Sequence, residues 1–352
     1  MGATCSLCFL LPVRLMIRIP FDEVEDQLAG VLRGLGFSEE RARLCARLFA
    51  ETTCDGVYSH GVNRFLRLVA TVRNGSVDPA AEARMVAGFG AMERWDGQRG
   101  PGNLNAYAAM ERAIALSREH GIGCVAMANT NHWMRGGTYG WQAADAGVIG
   151  ICWTNTMPNV PPWGGTEPAI GNNPLVIAVP RANGPVVLDM AMSQFSYGAL
   201  EGYRRRGELL PVEGGFDTDG KITRDPGAIE RSQRLLPVGY WKGSGLAVML
   251  DLVAAMVSLG NATHQIANDP LRETALSQVF VAIDPRMSGT PVNSERMEQI
   301  ADEVVESLHR SRPVDQSKPA RYPGEKTMQL RRENRKLGLP VDEAVWEQIL
   351  NL

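Results

Sequence analysis

The chain has 352 residues, 44% of them hydrophobic and 21% charged, with a formal net charge of -3. That length holds ample core for one large domain or two to three modest ones, and the composition is that of an ordinary globular protein. The charge balance gives no reason to expect nucleic acid or a membrane as partner, and 6 scattered cysteines fit reduced thiols in a cytoplasmic protein.

Residues 1–15 stand apart. Cys5 and Cys8 are spaced as C-x-x-C, with no second pair to complete a zinc site, and no metal site is expected elsewhere. Met1-Gly2 with Ser6 spells a myristoylation word. Phe9 to Pro12 is too short and too poorly flanked for a signal peptide or a membrane span. This segment is expected to be a non-native or disordered extension.

Apolar residues at Phe21, Val24, Leu28, Val31, Leu32 and Leu35 recur at helical steps, stopped by Gly36. Ser38 caps a second helix carrying Leu44, Cys45, Leu48 and Phe49 and closing near Asp55-Gly56. Asn103 to His120 predicts a helix ended by Gly121, and Cys124 to Met127 a short buried strand. Trp141 to Ala146 is helical, while Val148 to Trp153, Leu175 to Val179 and Val186 to Met190 read as strands. Ser244 is expected to cap an apolar helix from Gly245 to Leu259. With about 15 residues against the roughly 20 a bilayer needs, it predicts a buried core helix. Leu276 to Ile283 reads as a strand, Ser294 to His309 as a helix, and Asp342 to Leu350 as a last amphipathic helix. There is no internal repeat.

Two words carry chemistry: Ser59-His60-Gly61-Val62-Asn63-Arg64-Phe65, and Asn131-His132-Trp133-Met134-Arg135-Gly136-Gly137. Each pairs an imidazole, which moves protons near neutral pH, with a guanidinium fork suited to carboxylates. Spacing alone leaves His60 open between an acid–base group and a surface or capping residue. Arg64 lies one helical turn beyond it, so both share a face if the segment is helical. His132 follows a strand, in a loop where a firm scaffold presents site residues. His120, His264 and His309 read as solvated or helix-terminal. Trp133, Trp153 and Trp163 flank these loops, as pocket wall or as core. The dinucleotide fingerprint G-x-G-x-x-G is absent, since Gly88-Phe89-Gly90, Gly121-Ile122-Gly123 and Gly243-Ser244-Gly245 each lack the third glycine.

Taken with further words, the sequence resembles the malate/L-lactate dehydrogenase family, whose cofactor fold is not a Rossmann fold. These words are Gly150-Ile151-Cys152-Trp153-Thr154-Asn155, Pro161-Pro162-Trp163-Gly164, Phe195-Ser196-Tyr197-Gly198 and Gly239-Tyr240-Trp241-Lys242-Gly243-Ser244-Gly245. The resemblance runs from about Met16 to the C-terminus and is weakest over 260–274 and 285–320. It implies an α/β fold with a mixed, largely antiparallel sheet in the cofactor domain and a helical domain built from both termini. The expected parts are a helical N-terminal part over 16–85, a sheet-containing cofactor and substrate domain over 86–290, and C-terminal helices over 291–352 packing back on the first. A homodimer with its active site between domains is implied as well.

The activity implied is NAD(P)H-dependent oxidoreduction at a CH–OH group, with a small 2-oxo acid as substrate. Among family members the words are most similar to those of reductases of a 2,3-diketo sugar acid. Malate, ureidoglycolate, sulfolactate and cyclic-imine 2-carboxylates are rival substrates on the same fold. A catalytically silent dinucleotide-binding relative is the alternative of a different class, and a pyridoxal enzyme using Lys242 a distant further one. By resemblance His60 is the acid in reduction and the base in oxidation, Ser59 orients it or the substrate, and Arg64 clamps the carboxylate. His132 lines the site or takes the proton itself, while Asn155 and Thr156 contact substrate or nicotinamide.

The cofactor is expected at Leu188, Asp189, Met190, Ala191, Met192, Ser193 and Gln194, read as a strand end opening a helix toward phosphates. The plain alternative is a turn with Ser193 as N-cap and Asp189 as a strand-end cap. Trp241 and Lys242 offer a flat face and a point charge. Gly324, Glu325 and Lys326 resemble a closing loop, with Glu325-Lys326 where the resemblance expects His-Glu. NAD(H) is favoured and NADP(H) possible: Arg204-Arg205-Arg206 is either a 2′-phosphate clamp or a solvated run.

Overall fold

In a computed structural model of the chain, residues 16–286 and 294–352 are described. The extension over 1–15, with its Cys5–Cys8 spacing, lies outside them. The predicted helical stripes form α1 (Phe21–Gly34) and α2 (Glu39–Cys54), each with two acidic residues on its electropositive first turn. Val24, Leu28 and Leu32 of α1 meet Phe49 and Ala46 of α2 in one core. A strand pair invisible in the sequence closes this part: β1 (Met16–Ile19) runs antiparallel to β11 (Leu339–Asp342). Trp346 and Ile349 of α11 (Glu343–Leu350) join the same core, so the two ends of the described chain fold together.

The central sheet has seven strands: β2 (Arg84–Phe89), β3 (Met92–Asp96), β4 (Ile122–Asn131), β5 (Ile149–Thr154), β6 (Leu175–Val179), β7 (Val186–Met190) and β10 (Thr274–Ile283). Their spatial order is β2-β3-β4-β10-β5-β6-β7, antiparallel throughout except for the parallel β3–β4 pair. The period-2 alternation of strands serves two faces at once. Val125, Met127, Phe280 and Ala282 point at α4 (Gly102–His120) and α5 (Gly137–Asp145). Their neighbours Ala126 and Val279 point the other way, at α8 (Trp241–Ser258).

α8 differs from expectation twice. It begins at Trp241, after Tyr240 in the left-handed region at φ 58°, so Ser244 lies inside the helix rather than at its cap. The Ser244 hydroxyl instead accepts from the Trp163 backbone N–H at 2.9 Å. Nor is it a buried core helix. Ala247, Leu250, Ala254 and Ser258 are covered, but Leu246, Val248, Met249, Leu252, Val253 and Met256 lie on the surface. Apolar composition all round reads as burial; here the chain itself covers one side only. Among the described residues α8 is the one helix long and apolar enough to cross a membrane.

A smaller lobe holds α6 (Tyr197–Arg205), the pair β8 (Gly215–Phe216) and β9 (Ile222–Thr223), and α7 (Pro226–Ser232), around Val160, Leu200, Leu210, Ile229 and Leu235. The helix after β7 is capped by Ser196, which accepts from Ala199, so Ser193 is not its cap. At the C-terminal end, α10 (Glu325–Leu337) returns to α2, where Asn334 donates to the Cys54 carbonyl at 2.8 Å. α9 (Ser294–His309) is anchored on the turn between β6 and β7 instead. Asp302 meets Arg181 at 2.6 Å and Glu298 accepts from the Ala182 N–H at 2.9 Å.

Candidate active site

The His60 word starts where α2 stops. A Cβ on Gly61 would strike the Thr53 hydroxyl, which accepts the Val62 N–H at 2.8 Å, so glycine lets this turn lie flat on the helix. His60 sits in the turn. A short 3-10 helix (Val62–Arg64) and α3 (Phe65–Arg73) then carry Arg64 and Arg67 onto the same cleft. His132 arrives from the end of β4. Asn131 donates to the carbonyls of Arg99 and Gly100 at 2.7 and 2.9 Å. α4 begins so close that a Cβ on Gly102 would strike the Asn131 and His132 carbonyls.

The two imidazoles stack, with centroids 5.9 Å apart and planes 19° from parallel. Ser59 Oγ lies 2.9 Å from His60 Nδ1. His132 Nδ1 accepts the Met134 N–H at 3.0 Å, which places the proton of the neutral ring on Nε2. Burial first, then the charges of Arg64, Arg135 and Arg67, push His60 down to about 4. Burial, Arg64, His60 and Arg67 hold His132 well below the ordinary imidazole value. Both rings are therefore neutral at pH 7. Burial and then Arg67 lower Arg64 to about 10, with Glu273 opposing, so it keeps its charge at neutral pH.

The Arg64 backbone N–H donates to the Gly61 carbonyl at 2.8 Å, but its guanidinium makes no hydrogen bond or ion pair among the described residues. Arg67 does: it meets Glu273 Oε2 at 3.0 Å, while Glu273 Oε1 accepts the Met157 N–H at 3.2 Å. Ser59, His60, Arg64, Arg67, His132 and Thr156 line one cleft of about 740 Å³. Asn173, itself anchored on the Ala247 carbonyl, accepts the Thr156 N–H at 3.0 Å, and the Thr156 hydroxyl donates to Asn172 at 3.0 Å.

Two expectations are corrected, and the open choice for the tryptophans is decided. Asn155 does not line the cleft: its amide donates to Asp251 and the Asn261 carbonyl and accepts from Ser277, leaving nothing to offer a substrate. Arg135 does not join His132. It pairs with Asp55, lies 3.7 Å from Asp189, and opens on a separate cavity of about 410 Å³ with Arg331. Of the tryptophans, Trp133 is core, Trp153 donates to the Leu250 carbonyl at 3.0 Å, and exposed Trp163 packs on Tyr240 at 5.1 Å; none lines the cleft.

The expected cofactor residues fall along one path. Leu188, Asp189 and Met190 end β7, where Asp189 accepts the Gly137 N–H at 2.9 Å. After Ala191, the Met192 carbonyl accepts from Val238 at 2.8 Å and Gln194 N–H donates to Leu236 at 2.7 Å, so this stretch runs beside the approach to Trp241. Ser193 Oγ, on the cleft wall, is buried with no partner. Trp241 is 65% exposed, with the Lys242 ammonium 6.0 Å from its ring centroid. Gly324 sits at the other end of β7, next to the bond from Val187 N–H to the Pro323 carbonyl at 2.9 Å. Glu325 opens α10 and is already engaged by His309 at 3.2 Å and the Tyr322 N–H at 3.1 Å; Lys326 follows it. An orphaned buried hydroxyl, an exposed indole and an ammonium at a helix start suit a phosphate-bearing aromatic cofactor.

Arg67, Glu273, Asn172 and Asn173 were missed by sequence reasoning. Arg67 had a signal, three residues beyond Arg64 on a helical face. Glu273 had none, since it lies where the resemblance is weakest.

A mostly antiparallel sheet that lacks the dinucleotide fingerprint, beside a cleft of two histidines and a free arginine, defines the class. Residues 19–350 match the malate/L-lactate dehydrogenase family, and the chain belongs to it as an oxidoreductase acting on CH–OH groups. The chain is 45% identical, over 335 residues, to 2,3-diketo-L-gulonate reductase of Escherichia fergusonii, covering 95% of this chain and 99% of that protein. Among solved structures, sulfolactate dehydrogenase from Methanocaldococcus jannaschii superposes with a TM-score of 0.87 at 27% identity, covering 95% of each chain. Malate dehydrogenase from Pyrococcus horikoshii does so with a TM-score of 0.84 at 30% identity, covering 95% of this chain and 93% of that one.

Proposed function

We propose that the protein reduces a 2-oxo sugar acid with NADH, converting 2,3-diketo-L-gulonate to 3-dehydro-L-gulonate. The observation that carries this reading is the juxtaposition in one cleft of a free Arg64 guanidinium with two neutral, stacked imidazoles. The relative at 45% identity supplies the name of the substrate. Bound along Met190–Gln194 with Trp241 and Lys242, the nicotinamide would supply a hydride to the 2-oxo carbon. The chain's own residues do the rest. Arg64 grips the carboxylate through its fork, and Thr156 lines the same cleft. His132 Nε2–H donates to the 2-oxo oxygen. His60, from the small protonated fraction that a pKa of about 4 allows, delivers the proton that oxygen gains as it becomes a hydroxyl, returning to the neutral ring. Ser59 accommodates either His60 tautomer, because a hydroxyl both donates and accepts. His60 takes the proton role because His132 is locked: its Nδ1 faces an N–H, so it has no place for a second proton.

NADH is favoured over NADPH because the arginine run is already engaged. Arg204 meets Glu230 at 2.5 Å, Arg205 meets Glu201 at 2.6 Å and Arg206 meets Glu208 at 2.8 Å. The exposed apolar side of α8 is the surface a second copy would cover, making a homodimer, and four unpaired cysteines among the described residues suit a reducing cytoplasm.

The test is NADH and NADPH oxidation by the purified protein, offered 2,3-diketo-L-gulonate beside pyruvate, oxaloacetate and cyclic imine carboxylates. The diketo acid is expected to turn over fastest with NADH, and His60→Ala to lower the rate about 10²–10⁴-fold. Turnover of another acid alone would discard this substrate. NADH binding without turnover of any of them would replace the reading with a silent relative.

A further inference from the structure

Among the described residues, the charges lining the cleft cancel in pairs, with one exception. Arg204 lies 2.5 Å from Glu230, Arg234 lies 2.7 Å from Glu167, and Glu201 is held by Arg205 at 2.6 Å. At the inner end Glu273 holds Arg67 at 3.0 Å, and both histidines are neutral. That leaves Arg64. It lies three residues before Arg67, so two guanidiniums stand side by side with a carboxylate that answers one of them.

We propose that Glu273 is a specificity-determining residue: by occupying Arg67 it leaves one guanidinium for the substrate, and the site selects monocarboxylates over dicarboxylates. The inference rests on reading the cleft as a 2-oxo acid site. A second substrate carboxylate would enter where Arg67 alone could answer it. Arg67 is already bonded to Glu273, which is 7% exposed and fixed at its other oxygen by the Met157 N–H. The incoming charge would stay unpaired or displace a buried one, and an unpaired buried charge discriminates strongly. The hydroxyls of a sugar acid need no counter-charge, and the remaining Arg67 N–H groups can serve them.

Glu273→Gln keeps a side-chain carbonyl for the Met157 N–H and removes the charge. The measurement is kcat/KM for oxaloacetate and for pyruvate with NADH. The oxaloacetate-to-pyruvate ratio is expected to rise about tenfold or more, the size of one newly available charge-assisted hydrogen bond. The gain should vanish in Glu273→Gln/Arg67→Met. Arg67→Met alone should move the ratio the other way, because Glu273 is then unanswered; this variant keeps the test alive if Glu273→Gln does not fold. A purely structural brace would weaken both substrates together, and an unchanged ratio in folded variants overturns the proposal. If the wild type reduces no 2-oxo acid, the proposed reaction fails separately. Calorimetric binding of tartronate against glycolate then reads the same preference, and a ratio unmoved by Glu273→Gln again overturns the filter.

Discussion

Two neutral imidazoles stacked face to face are not interchangeable, because their second nitrogens meet different partners. The Met134 N–H fixes His132 as an Nε2–H donor, whereas Ser59 lets His60 hold its proton on either nitrogen. This difference has a kinetic signature. The folded enzyme keeps His60 near 4, so a reduction that needs its protonated form loses activity as pH rises. Measured as kcat/KM, reduction should fall about tenfold per pH unit from 5 to 8, while oxidation, which needs neutral His60, stays flat. His132→Ala should lower the rate about 10²-fold, as loss of one donor to a developing oxyanion does, yet keep that slope. His60→Gln should remove the slope itself. Retention of the slope in His60→Gln would transfer the proton to another group.

At the scale of elements, one carboxylate ties together pieces far apart in sequence. Asp55, just beyond α2, is bonded to Arg135 before α5 and to Arg331 of α10 at 2.6 and 2.8 Å. Burial alone would raise its pKa; Arg331 and Arg135 together outweigh burial and hold it below the ordinary carboxylate value. Asp55→Asn takes the hydrogen-bonded carboxylate from Arg331 and from buried Arg135, which keeps only the longer contact to Asp189, and should cost about 3–5 kcal/mol in urea unfolding. The sign with pH follows from the lowered folded value. This contribution is present above the unfolded carboxylate pKa and is lost as pH falls through the folded one. The wild type should therefore lose stability in acid more steeply than Asp55→Asn does.

For the whole molecule, the decisive surface is the outer side of α8, where Met249, Leu252, Val253 and Met256 are exposed together. Trp153 and the buried side of the helix fix it to the sheet, so the outer side cannot turn inward. Sedimentation or light scattering should give a dimer for the wild type. Met256→Glu places a charge at the centre of that face and should yield a folded monomer, since the residue is 70% exposed within one chain. A wild-type monomer at micromolar concentration would refute the assignment of this face.

Local pattern was enough for the long elements. The helical stripe from Phe21 to Leu35, the cap at Ser38, the Gly121 stop and the apolar run from Leu276 to Ile283 are short-range instructions, and the structure follows them. The words around His60 and His132 were legible because imidazole, guanidinium and glycine are uncommon together. The same words marked the family. What the sequence alone left undecided depends on contacts across long separations. β1 finds β11 more than three hundred residues away, and an exposed stripe like α8 differs from a core helix only in what stands opposite it. Asn155 and Thr156 are adjacent in sequence, yet the fold turns one inward to bind Asp251 and the other toward the cleft. Arg135 reads like a partner of His132 until Asp55 is brought beside it, and Glu273 has no meaning until it meets Arg67. Short-range propensity chooses elements; burial and charge pairing between distant segments choose which side chains remain free, and those make the site.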